Sequence, residues 1–186
     1  SGSGKSTLLN IIGLLDRPTR GIYRLDGIDT TELEETEQAM VRRNKIGFVF
    51  QFFHLIPRLT AAENIELPLI LAGFDVRERK IRLAEALSSL GLGDRAHHRP
   101  DQLSGGQRQR TAIARAMVMH PKIILADEPT GNLDRASGNE VIKILEHLNR
   151  SGMSLIMVTH DPALGDRAKR KIIMDDGSIL HDHQKP

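Results

Sequence analysis

Seven residues open the chain in an order suited to phosphate: Ser1-Gly2-Ser3-Gly4-Lys5-Ser6-Thr7 matches the second half of the pattern G-x-x-x-x-G-K-[ST]. Glycines let consecutive backbone N–H groups close around phosphate oxygens, and a helix starting there adds the positive end of its dipole. Leucines and isoleucines recur at helical spacing over residues 8–15, ahead of Pro18, so such a helix is predicted. Lys5 is then placed to reach β and γ phosphates, and the Ser6 hydroxyl to bind Mg²⁺. The competing reading is a Gly-Ser linker ahead of a capped helix. The pattern's first glycine falls two positions before Ser1, so the chain is expected to open inside the motif, without the strand that feeds it.

A carboxylate pair is the second candidate. The apolar run over residues 123–126 stops at Asp127 and Glu128, and Pro129 forbids its continuation as a strand. Acids at the carboxyl end of a parallel strand lie where open α/β sheets bind ligands. Asp127 would hold Mg²⁺, and Glu128 would orient or deprotonate an attacking water. A solvated acidic turn is the plainer reading, but the same chain already carries Lys5 and Ser6, suited to the same ligand.

A third candidate is Leu103-Ser104-Gly105-Gly106-Gln107. Ser104 and Gln107 stand three apart, the spacing of a capping box, so a helix begins here. Two glycines in its first turn cost about 1 kcal/mol each against alanine, which a purely structural cap has little reason to accept. What they offer is bare N–H at a positive helix end, a second anion site far along the chain from the first. Downstream, Ala112, Ile113, Ala116 and Met117 read as core.

The elements that must position these groups follow from periodicity. Residues 22–25 with Asp26-Gly27 read as a strand and tight turn, 32–43 as an exposed helix, and 46–50 as a short buried strand. Residues 61–72 and 77–90 read as helices, separated by Gly73 and an Asp75 cap. From Ser104 the order is helix 105–119, strand 122–127, helix 135–150, strand 154–159, helix 162–168 and strand 170–175. This alternation predicts an α/β fold, a mostly parallel sheet flanked by helices on both faces. Parallel strands bring Gln51, Asp127, Glu128 and His160 to one edge, since each follows or ends a predicted strand.

Composition narrows the function. The chain has 186 residues, 39% hydrophobic and 27% charged, with a net charge of only +2 and its basic residues scattered among acidic ones. That does not favour nucleic acid. With no cysteine, neither a disulfide framework nor a thiolate metal site is available. The longest apolar runs fall short of the roughly 20 residues that cross a bilayer, so membrane contact must go through a partner. His97-His98 and the tail histidines His181 and His183 lack further ligands and read as solvated loops.

Taken in order, these motifs resemble those of the ABC ATPases, and the resemblance covers essentially the whole chain. Residues 103–107 resemble the signature motif, lying between a Walker A half-motif and a Walker B strand. Gln51 resembles the Q-loop glutamine, which contacts Mg²⁺ and the water and senses the transmembrane partner. Asn132-Leu133-Asp134 resembles the D-loop, with Asp134 also placed to cap the next helix, and His160 resembles the switch histidine at the γ-phosphate. The resemblance implies a P-loop NTPase fold with a helical subdomain. It also implies one ABC ATPase domain over residues 1–186, with 1–51 and 104–186 as a RecA-like core and about 52–103 as the helical part.

The implied cofactors are ATP and Mg²⁺, with Glu128 and His160 catalytic and Ser6, Gln51 and Asp127 at the metal. Nucleotide would be held by Gly2, Ser3, Gly4, Lys5, Ser6, Thr7 and Gln51, and by Ser104, Gly105, Gly106, Gln107 and Asp134. Two copies would pair head to tail, driving a transmembrane permease from the cytoplasmic face of the inner membrane, with no role for nucleic acid. A regulatory cassette of a cell-division complex, transporting nothing, is the alternative. Arg17-Pro18-Thr19-Arg20-Gly21 and residues 50–57, 59–64 and 127–134 look most like the lipoprotein-release, macrolide-export and cell-division subgroup. Phe52, Phe53, Leu55 and Ile56 would either meet the permease or pack the helical insert. The absent N-terminal segment would supply an adenine-stacking aromatic and the strands of an antiparallel subdomain, so the 186-residue chain alone is expected to bind ATP weakly or fold poorly.

Overall fold

A computed structural model describes residues 3–185. Its centre is a three-stranded parallel sheet of β3 (Ile46–Phe50), β4 (Ile123–Asp127) and β5 (Ser154–Val158), in the order β3-β4-β5. Before it come α1 (Lys5–Ile12), the short antiparallel pair β1 (Arg24–Leu25) and β2 (Ile28–Asp29), and α2 (Glu35–Lys45). Between β3 and β4 run α3 (Ala61–Leu71), α4 (Val76–Ser89) and α5 (Gly105–Met117). Helix α6 (Arg135–Arg150) joins β4 to β5, and α7 (Pro162–Gly165) leads to β6 (Arg170–Asp175) and β7 (Ser178–Gln184).

The period-two alternation of each central strand decides which helix covers which face. Val49, Ile124 and Ala126 point to one side, where they meet Ile113 and Ala114 of α5, Val141 and Leu145 of α6, and Ile65 and Leu69 of α3. Ile46, Ile123 and Leu125 point to the other, against Leu9 of α1 and Leu14. Ile65, Leu69, Ile113, Leu125 and Leu145 are fully buried, each contributing roughly 1.5–3 kcal/mol of transfer free energy. The apolar side chains of α3 and α4 thus belong to the same cluster as the sheet's α5/α6 face.

Helix starts follow local chemistry. Thr60 and Glu63 form a capping box at α3, Ser104 and Gln107 another at α5, and Asp75 and Asp134 accept two backbone N–H bonds each at α4 and α6. The Asp26-Gly27 turn has positive φ at both residues, 51° and 78°, as a two-residue hairpin requires.

Three expectations need correction. The last predicted strand does not extend the parallel sheet: β6 pairs antiparallel with β7 in a separate hairpin. The Asp176-Gly177 turn that reverses the chain, φ 44° and 73°, carries a hairpin signal that helix–strand alternation overlooks. Helix α1 ends at Ile12 rather than Leu15, because Gly13 caps it and Leu14 takes a φ of 56°, outside the helical range. Helix α7 is a single turn, shorter than the expected 162–168.

Candidate active site

Register alone brings four of the chemical candidates together. Phe50 pairs with Asp127 and Asp127 with Val158, so β3, β4 and β5 end level and release Gln51, Glu128 and His160 at one edge of the sheet. Helix α1 lies over this part of the sheet, and its Ser6 hydroxyl is near enough to the Asp127 carboxyl to draw its pKa down. The first motif and the carboxylate pair are therefore neighbours in the fold, although 121 positions separate Ser6 from Asp127.

Gly4 has a φ of 81°, a conformation side chains rarely adopt, and a Cβ there would meet Gly177 Cα at 3.3 Å. The same hairpin turn donates its Gly177 N–H to the Ser3 carbonyl, 3.3 Å away. Lys5 is folded back, its ammonium donating to Ser3 Oγ. Thr7 lies exposed on α1. Gly2 lies outside the described residues.

Glu128 adopts a φ of 46°, uncommon for a residue with a side chain and of the sort that gathers at functional sites. Its own N–H donates to Val158 O at 3.0 Å, and its carbonyl accepts from Gly131 N–H at 3.0 Å, so the turn is fastened on both sides. The carboxylate receives a 2.8 Å hydrogen bond from His160 Nδ1–H. Only 20% of the Glu128 side chain is exposed against 80% for His160, so the histidine is the open member of the pair. Gln51 Nε2 reaches Asn132 Oδ1 at 3.4 Å while Asn132 Nδ2 donates to Gln51 O at 3.1 Å.

Burial first, then the negative charge of Glu128, push the Asp127 carboxyl above the usual carboxylate range, against a lowering by the Ser6 hydroxyl. With its folded value above the unfolded one, Asp127 costs stability as pH rises through the folded value, and the penalty is fully present near neutrality. Asp127→Asn is therefore expected to raise the melting temperature of the protein near neutral pH, an advantage that fades below the carboxylate range. Melting curves at both pH values decide it, and a lower midpoint at neutrality refutes the account.

This oxygen set fits Mg²⁺. The ion takes one or two protein oxygens and fills the rest of its octahedron with water and phosphate. A hydroxyl and a partly buried carboxylate on neighbouring elements, Ser6 and Asp127, would supply that pair.

The third motif is built as expected but placed elsewhere. Ser104 Oγ accepts from Gln107 N–H at 3.2 Å, and Gln107 Oε1 accepts from Ser104 N–H at 2.9 Å, closing the box. The glycines also have a packing reason that sequence reasoning denied them. A Cβ on Gly105 would meet Leu133 Cδ2 at 3.2 Å, and one on Gly106 would meet Ser137 Oγ at 3.1 Å. Asp134 caps α6 in the same corner, its carboxyl held below the usual range by Ser137, first through its hydroxyl and then its N–H, with Ala136 N–H adding to the effect. Among the described residues no hydrogen bond links residues 104–107 to residues 3–7. One chain thus presents a phosphate loop with its acids and, separately, a glycine-fronted helix start beside Asp134.

A family model described as ABC transporter matches residues 1–131. The chain belongs to the ABC transporter family. This ABC chain is 54% identical over 98% of its length to the macrolide export ATP-binding/permease protein MacB of Rhodopseudomonas palustris (strain HaA2), of which it covers 28%. It is 51% identical over 99% of its length to the ABC transporter ATP-binding protein YvrO of Bacillus subtilis (strain 168), covering 80% of that protein. The chain thus spans little more than a quarter of the length of its macrolide-export relatives. Its fold superposes with a TM-score of 0.88 and 46% identity on the ATP-binding cassette MJ0796, solved as a dimer in a post-hydrolysis state with ADP and Pi, over 99% of this chain and 82% of that one.

Sequence reasoning missed two residues in this region, Gln109 and Arg115 on α5. Gln109 donates to Phe50 O and Pro129 O, and Arg115 to Phe53 O and His54 O. Their partners lie 20 to 62 positions away, so no local spacing marks them.

Proposed function

We propose that this chain is the ATP-binding and ATP-hydrolysing subunit of an ABC membrane transporter, acting as a head-to-tail pair of copies on a transmembrane permease. The observation that carries the reading is the meeting of Ser6, Asp127, Glu128 and His160 at the level ends of adjacent parallel strands. In this reading the amides of Gly2, Ser3 and Gly4, with Lys5 and Thr7, hold the phosphates. Ser6, Gln51 and Asp127 hold Mg²⁺, which neutralises developing charge on the phosphate oxygens. Glu128 takes the proton of the attacking water as its oxygen bonds to the γ-phosphorus, and ADP leaves. His160 holds Glu128 in line and, being exposed, faces the γ-phosphate.

Ser104, Gly105, Gly106 and Gln107 of one copy supply a positive helix end to nucleotide on the other copy's loop, with Asp134 beside it. Triphosphate bridging two such ends closes the pair, and hydrolysis removes the charge that held it. The separation of the two anion sites within one chain supports a site completed by a second copy. We further assign residues 52–103 as a helical subdomain between the two parts of the ATPase core, and the inner membrane's cytoplasmic face as the place of work. None of the helices among the described residues is long and apolar enough to cross a membrane.

Because each site needs two chains, the specific activity of the protein freed from its permease is expected to rise with protein concentration, approaching second-order behaviour in the dilute range. Steady-state ATPase assays over a hundredfold dilution series test this. Activity per chain that stays constant while light scattering reports a monomer would remove the two-copy site.

A further inference from the structure

We infer that Gln109 and Arg115 of α5 are positioning residues that tie the glycine-fronted helix to the two catalytic turns. The inference rests on the roles given above to Gln51 and Glu128. Gln109 is completely buried, and its single amide nitrogen serves two carbonyls from different elements: Phe50 O at 3.3 Å and Pro129 O at 2.7 Å. The first immediately precedes Gln51 and the second immediately follows Glu128. Arg115, further along α5, forks its guanidinium onto Phe53 O at 2.9 Å and His54 O at 2.6 Å.

Those two residues carry φ values of 62° and 48°, a left-handed pair without a glycine. Such backbone persists only when its surroundings over-determine it. Here the surroundings are α5 again, since Arg108, on one helix face with Arg115 at a spacing of seven, places its guanidinium 5.2 Å from the centre of the Phe53 ring. Gln51 is therefore gripped from both sides, and Glu128 from its C-terminal side, by one helix.

That helix begins at Ser104, the end proposed to meet the partner copy's nucleotide. A helix moves as a rigid body, so a shift imposed at residues 104–107 reaches Gln51 and Glu128 without passing through the sheet. The turn after Gln51 thus senses whether the opposite site is filled.

The decisive experiment is a double-mutant cycle in the complete ATPase with its permease. Lysine at 115 keeps the charge but reaches one carbonyl at a time, and methionine at 109 keeps the volume without a donor. Each single variant, Arg115→Lys and Gln109→Met, is expected to lower kcat about tenfold with KM for MgATP changed less than about twofold, the split of an interaction that orients reacting groups rather than binding substrate.

In a Gln51→Ala background, Arg115→Lys should cost less than about twofold more, because its route through Gln51 has been removed. Equal losses in both backgrounds, or no loss in the parent, overturn the assignment. If Gln51→Ala itself turns over at the parental rate, the role of Gln51 falls and takes the coupling with it. If Gln51→Ala is slow and Arg115→Lys is not, only the coupling falls. Should Arg115→Lys unfold in thermal melts, the same cycle with Gln109→Met and Glu128→Gln decides the coupling through the other turn.

Discussion

Glu128→Gln is expected to slow ATP hydrolysis by about 10²- to 10⁴-fold, the usual contribution of a positioned general base, while MgATP still binds. The substitution is nearly isosteric. Glutamine offers Oε1 to His160 Nδ1–H in place of the carboxylate, now 2.8 Å away, so the side chain stays where it is. The backbone at φ 46°, fastened to Val158 and Gly131, has no reason to relax either. What disappears is the ability to accept a proton. With binding intact and cleavage blocked, the triphosphate that closes two copies persists, and an ATP-bound dimer should accumulate in size-exclusion runs with MgATP but not with MgADP. A variant that hydrolyses at the parental rate removes Glu128 from the mechanism.

Gly47→Ala is expected to cost about 3 kcal/mol of folding stability, at the upper end for overpacking a core. Gly47 sits in β3 opposite Ile124, and α5 crosses directly above it. A methyl group there would lie 2.5 Å from Ala116 O and 3.1 Å from Ala116 C. Both are backbone atoms, so no rotamer relieves the clash, and either the strand or the helix must move. Because β3 leads directly into Gln51, turnover should fall with stability. Chemical denaturation of parent and variant measures the loss, with Gly93→Ala as the control, since nothing lies within 4 Å of its Cβ. That control should stay within about 0.5 kcal/mol of the parent. Equal midpoints for Gly47→Ala and the parent would show that α5 does not bear on β3 as described.

How much of this is legible in the sequence depends on how far apart the interacting residues lie. The central strands are readable because each is an uninterrupted apolar run, and Asp127-Glu128-Pro129 marks an end that apolar packing alone would not produce. The caps are readable because Ser104 with Gln107 and Asp134 with Ser137 act within one turn. The β6–β7 hairpin escapes the periodicity although Asp176-Gly177 announces it. A strand following a helix reads as another parallel member, while pairing is decided by which edge it finds. Sequence credits Gly105 and Gly106 only with bare amides, since their contacts with Leu133 and Ser137 come from a helix folded back beside them. Gln109 and Arg115 carry no signal at all: on a helix rich in polar residues, nothing local separates a buried brace from a solvated side chain.

The β6–β7 turn carries one more consequence. Gly177 lies against Gly4 and hydrogen-bonds Ser3, so a loop translated early takes its shape against a turn translated much later. A growing chain therefore gains this brace on its opening loop only when synthesis has passed residue 177.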